Sequence, residues 1–290
     1  MLNFIFFGTS RFSEIVLQTL KERGFLPALI ITGENKFAGR GMKLTPPPAK
    51  IWAEKNNIPF LQPTDLKDKS LLKTLYDSHS TFYVLASYGR IIPKEILSIP
   101  PKGILNIHPS LLPKLRGPSP IQTTILTGER AGVSIMLMDE KVDHGPVLAK
   151  KEVEISEIPY DNELEESLAV EGALLLAEVI PRWIADKIQV EEQNHSNVTF
   201  TKKIKKEDAF IDLSASPENN LRKIHAYSVW PVAYTLLRTK KGEVRIKIKR
   251  ASVVGGKLSL EKVVPEGGSE MSWQDFARGY SPLDQGLTLV

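Results

Sequence analysis

The chain reads as an α/β protein: a mostly parallel sheet with helices on both faces, followed by a small β-rich part. Three observations predict this. The apolar runs Leu2–Phe7, Ala28–Thr32 and Phe82–Ala86 are nearly continuous, as strands covered on both faces must be. Helical periods lie between such runs, which makes strand, helix, strand the repeating order. From Ile211 onward the period shortens to strand-like stretches divided by Lys241-Gly242 and Gly255-Gly256.

Length and composition set bounds on this reading. At 290 residues a single core is near its limit, so two domains are expected. The boundaries drawn are 1–188 for the first domain, 189–206 for a linker and 207–290 for the second. Cysteine is absent, which excludes disulfides, thiolate metal sites and cysteine nucleophiles and fits a reducing, cytoplasmic setting. The five histidines stand far apart, so no metal site is expected. The opening MLNFIFFGTS is apolar but short and lacks a basic start, so it reads as a first strand rather than a signal peptide. No run approaches the ~20 apolar residues of a membrane helix. The net charge of +4 is unevenly placed: from Lys202 onward 16 Lys and Arg stand against 10 Asp and Glu. A basic C-terminal third suits contact with a polyanion; a solvated lysine-rich face is the competing reading.

The elements follow in order. After the first strand, Gly8 closes the run and Ser10 is a plausible N-cap for a helix to Arg23. The Gly8-Thr9-Ser10 turn lacks the G-x-G-x-x-G dinucleotide signature; its amides offer at most a weak anion site. Glu34–Pro48 carries two internal glycines, three prolines and three basic residues with no apolar period, and reads as a loop. Ala49–Asn57 is a helix, Ile58–Leu61 a short strand and Leu66–Tyr76 an amphipathic helix. The strand Phe82–Ala86 ends in SYGRIIP, where a glycine permits close approach to a flat ring or simply a tight turn. Gly103–Ile107 and Val133–Met138 are strands, with a helix Ile121–Leu126 between them. Lys150–Ile155 is an edge strand. Tyr160–Asp186 is a long helix with acidic residues in its first turns, as the helix dipole favours. The second domain opens with the helix Ser216–Ala226 and continues with strands Ala233–Arg238, Arg245–Ala251 and Lys257–Val263.

Chemistry concentrates between Asn106 and Asp143. A strand delivers Asn106 and His108 to its carboxyl end and breaks at Pro109; open α/β sheets bind ligands at that end. Asp143 follows His108 by 35 residues, just before Gly145. Amide, imidazole and carboxylate are the groups that polarise a carbonyl, stabilise an oxyanion and move a proton near neutral pH. A loop histidine and a turn aspartate are the plain alternative.

The local strings go further. N-x-H, then P-S-L-L-P, then R-G-x-x-P-I, then D-x-G-P-x-L resembles the core of the 10-formyltetrahydrofolate-dependent formyltransferases. That resemblance implies a Rossmann-like domain and 10-formyltetrahydrofolate as co-substrate, without a metal. Asn106, His108 and Asp143 would be catalytic. Ser87, Tyr88, Gly89 and Ile91, with Ser110, Leu111, Leu112 and Pro113, would line the folate site. The string AGRG followed by KLTP resembles the loop with which one branch of the family enters the acceptor arm of methionyl-initiator tRNA. Arg40 sits where that branch has its inserted arginine, with Lys36 and Lys43 beside it. KIKKED resembles the family's string at the joint between domains and puts Lys203 and Lys206 near tRNA. Arg116 either meets an anionic substrate group or holds its loop.

WPVAYT and PEGGSEMSWQDFARGY resemble the family's appended domain, a barrel of the oligonucleotide-binding type. The interval between them is short, which implies a reduced, OB-like barrel. The implied activity is formyl transfer to methionyl-initiator tRNA for translation initiation, by a monomer that does not bind membranes. An amino-sugar nucleotide formyltransferase with the same core is the alternative. Formyltetrahydrofolate hydrolysis, or a protein that binds tRNA or folate without chemistry, are the remaining rivals.

Overall fold

The computed structural model describes residues 3–38, 41–155, 157–240 and 242–283. It divides into two compact units. The first comprises Met1–Pro120, Arg130–Glu154 and Glu165–Thr201, the second Ile121–Glu129, Ile155–Leu164 and Lys202–Val290.

The first unit begins with β1 (Phe4–Gly8), α1 (Arg11–Glu22) and β2 (Leu29–Ile31). A small hairpin follows, β3 (Lys36–Ala38) and β4 (Lys43–Thr45), then α2 (Pro48–Lys55), β5 (Phe60–Leu61), α3 (Lys69–Asp77), β6 (Phe82–Ala86), α4 (Lys94–Leu97) and β7 (Ile104–His108). After α5 (Pro120–Thr127), most of which belongs to the second unit, come β8 (Gly132–Leu137), β9 (Val147–Glu152) and the long α6 (Asp161–Ile184). The seven-stranded sheet has the order β5-β2-β1-β6-β7-β8-β9. Its first five strands are parallel; β8 pairs antiparallel with both β7 and β9, so β8 alone runs opposite to the other six.

Alternation along the strands sorts the core into two layers. Ile5, Phe7, Ile31, Tyr83, Leu85 and Ile104 share one face with Leu71 and Leu75 of α3 and Ile96 of α4. Phe4, Phe6, Phe82 and Val84 point the other way, and the rings of Phe4 and Phe82 stack at 5.2 Å. On that second face α6 lies close to β7 and β8: a Cβ on Gly172 would come within 2.5 Å of Ile107 Cγ2. Helices therefore cover both faces. Burial pushes the Tyr83 phenol up to about 12. Ser10 is the N-cap of α1, and its amide donates to Ser13 Oγ at 3.1 Å. Asp68 caps α3, accepting from Ser70 N and Leu71 N at 2.8 and 3.1 Å.

The second unit holds α7 (Pro217–Ala226), β10 (Tyr234–Thr239), β11 (Gly242–Val254), β12 (Lys257–Pro265), β13 (Met271–Ser272) and α8 (Trp273–Tyr280). The strands form one antiparallel sheet of order β10-β11-β12-β13. Among the described residues β10 and β13 are its two ends, so the reduced barrel expected from the sequence is a four-stranded sheet. Ile224 of α7 and Trp273 and Phe276 of α8 bury against Leu237, Ile246, Ile248, Leu260 and Val263.

Several boundaries differ from the sequence reading. The expected loop Glu34–Pro48 contains the β3–β4 hairpin, whose strands of three residues are too short to show a period. The edge strand starts at Val147, not Lys150, because Gly145 and Pro146 make the preceding turn and Leu137 N donates to Pro146 O at 2.9 Å. The helix α8 was not assigned; Ser272 starts it by accepting from Asp275 N at 3.1 Å. The weak anion site at Gly8-Thr9-Ser10 is closed off by its own contacts. Thr9 N donates to Ser13 Oγ and Ser87 O, at 2.8 and 3.2 Å.

Candidate active site

Strand β7 carries Asn106 and His108 at its carboxyl end, and both are buried. Two residues apart on a strand, they project to the same face. Asp143 lies in the turn between β8 and β9. It has a left-handed backbone, φ +48°, which few L residues adopt. The turn is fixed further by Gly145, where a Cβ would stand 2.0 Å from Leu137 O. Only glycine fits that approach.

These elements bring the three side chains together. Asn106 Nδ2 donates to Asp143 Oδ1 at 3.4 Å, and His108 Nδ1 lies 3.6 Å from the same oxygen. Gly117 N donates to Asp143 Oδ2 at 2.8 Å. The His108 side chain is 6 % exposed and that of Asp143 14 %, so the carboxylate keeps a narrow access to solvent. His108 Nε2 lies 3.0 Å from Leu115 O. A carbonyl only accepts, so Nε2 carries the proton and Nδ1 is the nitrogen that faces Asp143. Leu115 itself has φ +56°, a strained conformation that aims its carbonyl at the ring.

The strand-end loops hold the other candidates. Ser110 Oγ donates to Lys114 O at 2.7 Å, while Ser134 Oγ donates to Ser110 O at 2.7 Å. Leu112 N donates to Ser134 Oγ at 3.0 Å, and the Leu112 side chain is buried with Met136 and Val147. A cis peptide joins Leu112 to Pro113. Leu111 packs on Gly132, where a Cβ would meet its Cδ2 at 2.5 Å. At the end of β6, Ser87 (φ +49°) accepts from Ser10 Oγ at 2.8 Å. Gly89 has φ +77° with open space around its Cα, so conformation rather than crowding requires glycine there. Ile91 is 80 % exposed, an apolar side chain left uncovered. Tyr88 differs: its ring sits in the core, edge-on to Phe7 at 5.5 Å, and burial pushes its phenol up.

Arg116 is buried and spends its guanidinium inside the protein. Nε and Nη2 donate to Gln193 Oε1 at 3.2 and 2.7 Å, and Nη2 lies 3.0 Å from His195 Nδ1. Of the two readings of Arg116, these bonds favour holding the loop. Burial lowers its proton affinity, and Asp143 and Asp139 act against that. The His195 ring stacks on His144 at 4.4 Å, and His144 Nδ1 sits 2.6 Å from Asp139 Oδ2. Sequence reasoning did not single out Gln193 or His195. They sit in the polar stretch EEQNHSNVTF, and nothing local marks them.

The remaining candidates belong to other elements. Lys36 and Lys43 are on the β3–β4 hairpin, on the same side of the ribbon by its register. Arg40 lies outside the described residues. Lys203 and Lys206 belong to the second unit and are exposed. No group of three or more His, Cys, Asp or Glu among the described residues is arranged to hold a metal ion. No described helix is long and apolar enough to cross a membrane.

Comparison with known proteins decides the family. Residues 1–180 match the family model described as formyl transferase, and 203–259 match its C-terminal domain. A methionyl-tRNA formyltransferase from Chloroflexus aurantiacus is 42 % identical, over 82 % of this chain and 77 % of that one. One from Bacillus thuringiensis subsp. konkukian is 34 % identical over 97 % of each. The chain belongs to the methionyl-tRNA formyltransferase family. It is a one-carbon transferase. Solved structures bear on the fold alone. A methionyl-tRNA formyltransferase from Clostridium thermocellum superposes with TM-score 0.62 at 18 % identity, covering 94 % of this chain and 100 % of that one. A sugar N-formyltransferase from Shewanella superposes with TM-score 0.64 at 18 %, covering 88 % and 99 %. The two structures share the architecture at equal identity, and the 42 % and 34 % identities to methionyl-tRNA formyltransferase sequences are what place the chain in that branch.

Proposed function

We propose that the chain transfers the formyl group of 10-formyltetrahydrofolate to the α-amine of methionyl-initiator tRNA, in the cytoplasm, as a step of translation initiation. The observation that carries this reading is the shared carboxylate: Asn106, His108 and Gly117 all address Asp143. Residues 1–188 would be the catalytic domain, 189–206 the linker and 207–290 the tRNA-binding domain.

The donor set fits the co-substrate. A formyl oxygen needs hydrogen-bond donors as negative charge develops on it, and Asn106 Nδ2 and a protonated His108 Nδ1 are two such donors. The uncovered Ile91 and the open space at Gly89 suit a flat ring. When bound, 10-formyltetrahydrofolate supplies an activated one-carbon unit on nitrogen.

The chain's own residues divide the remaining work. Asp143 takes the proton that the attacking amine sheds and would return one to the folate nitrogen as its bond to the formyl carbon breaks; its hydrogen bonds hold it in one orientation. His108 stabilises the formyl oxygen through Nδ1 while Leu115 O keeps Nε2 protonated. Asn106 donates the second hydrogen bond. No covalent enzyme intermediate is needed: Ser110 Oγ is bonded to a backbone carbonyl rather than to a base. Lys36, Arg40, Lys43, Lys203 and Lys206 would meet phosphates, the arginine also stacking on bases.

The test compares acceptors. Formyl transfer is measured with methionyl-initiator tRNA, with an amino-sugar nucleotide and with no acceptor. Turnover confined to the charged tRNA is expected; transfer to the sugar, or formate release alone, would replace the reading. His108→Ala and Asp143→Asn are each expected to lower kcat by about 10²–10⁴-fold with folding intact. Near wild-type turnover in either removes that residue from the mechanism.

A further inference from the structure

We propose that Gln193 is a positioning residue for Asp143, so that the chemistry depends on a segment otherwise read as linker. The inference rests on the reading of Asp143 given above.

The Gln193 amide is buried, and its orientation follows from its partners. Arginine only donates, so the oxygen faces Arg116, accepting from Nε and Nη2 at 3.2 and 2.7 Å. Carbonyls only accept, so the nitrogen faces the turn, where Nε2 donates to Asp143 O at 3.0 Å and to Gly145 O at 2.7 Å. One side chain thus holds two carbonyls of the turn that carries the base, at Asp143 and Gly145, and anchors them to a buried guanidinium. The turn has reason to need this. Asp143 holds φ +48°, which a flexible loop would leave, and Gly145 is pressed against Leu137 O.

The segment that delivers Gln193 is itself fastened on both sides. Glu191 and Val147 exchange backbone hydrogen bonds at 2.8 and 2.9 Å. Arg116 N donates to Thr199 O, and Thr201 N to Arg116 O, at 2.9 and 2.7 Å. Thr199 Oγ1 accepts from Leu115 N at 2.9 Å, next to the carbonyl that orients His108. Residues 191–201 therefore form a strap across the loops that carry the base and orient the imidazole. A misplacement near 1 Å costs about 10²-fold when a reacting group is aligned this closely.

The test is a double-mutant cycle in the full chain, with methionyl-initiator tRNA as acceptor. Gln193→Glu keeps the shape and the contact to Arg116 but loses both donations to the turn. Gln193→Met, of similar length and without polar atoms, serves if the first variant fails to fold. The expected result is a fall in kcat of about 30-fold or more, with KM for the folate donor within about threefold and the melting temperature close to wild type. In an Asp143→Asn background the same change is expected to cost less than about threefold, because the group it positions is already gone. An equal loss in both backgrounds, or a loss below threefold in the wild-type background, overturns the inference. A wild-type rate for Asp143→Asn alone would instead remove the reading of Asp143 as the base.

Discussion

The Asp143 turn and the β3–β4 hairpin belong to the same compact unit and are held in opposite ways. The turn is bound from every side: Asn106 and Gly117 donate to the carboxylate, Gln193 donates to the backbone, and Gly145 leaves no room for a side chain. The hairpin has a ladder of three residue pairs and turns Phe37 and Leu44 outward, 64 % and 57 % exposed. The proposal that Asp143 moves a proton accounts for the first: such a group must keep one position while desolvated. The proposal that the hairpin meets tRNA accounts for the second: such a segment gains from leaving its apolar and basic groups uncovered until the partner arrives.

The sharpest way to break the contrast is at Asn106. Asn106→Leu has nearly the same volume and loses the amide donor. We expect kcat to fall about 10²–10³-fold with little change in thermal stability, measured by single-turnover formylation. A fall below tenfold would show that the turn does not need this contact.

Glycine substitutions probe the two regions directly. Gly145→Ala puts a methyl 2.0 Å from a backbone oxygen of β8 and is expected to cost about 3 kcal/mol or more in urea unfolding. Gly41→Ala, at φ +92° with nothing within 4 Å, meets only the left-handed penalty, about 1–2 kcal/mol. Equal costs would erase the distinction.

Removing charge from the hairpin gives a smaller effect of a different kind. Lys36→Ala with Lys43→Ala is expected to raise KM for tRNA about three- to tenfold, leave kcat unchanged and flatten the salt dependence of binding. The smallest change is expected from Phe37→Ser, whose effect on unfolding free energy should stay within about 0.5 kcal/mol because the ring buries little. A larger loss would mean that the hairpin is tied to the sheet after all.

Local chemistry was enough to place much of this protein. Continuous apolar runs gave the parallel strands, and Phe82–Ala86 has the same limits in the sequence reading and in the structure. Asn106, His108 and Asp143 stood out because a strand end, a proline and a glycine turn surround them within a few residues. The hairpin escaped notice because three-residue strands carry too little period, whereas the eight residues of α8 do carry one, in Trp273, Phe276 and Tyr280 at i, i+3 and i+7.

What the chain alone determined is therefore whatever is encoded over one or two turns of backbone: the order of elements, their capping, and which residues arrive at the end of β7. Tertiary structure alone decided that β8 runs antiparallel to both its neighbours, β7 and β9. It also decided that Tyr88 faces the core, and that Gln193 reaches the Asp143 carbonyl across 50 residues of chain. A hydrogen bond between distant residues leaves no periodic trace in a polar stretch. It exists only once the sheet has brought its two partners to the same place.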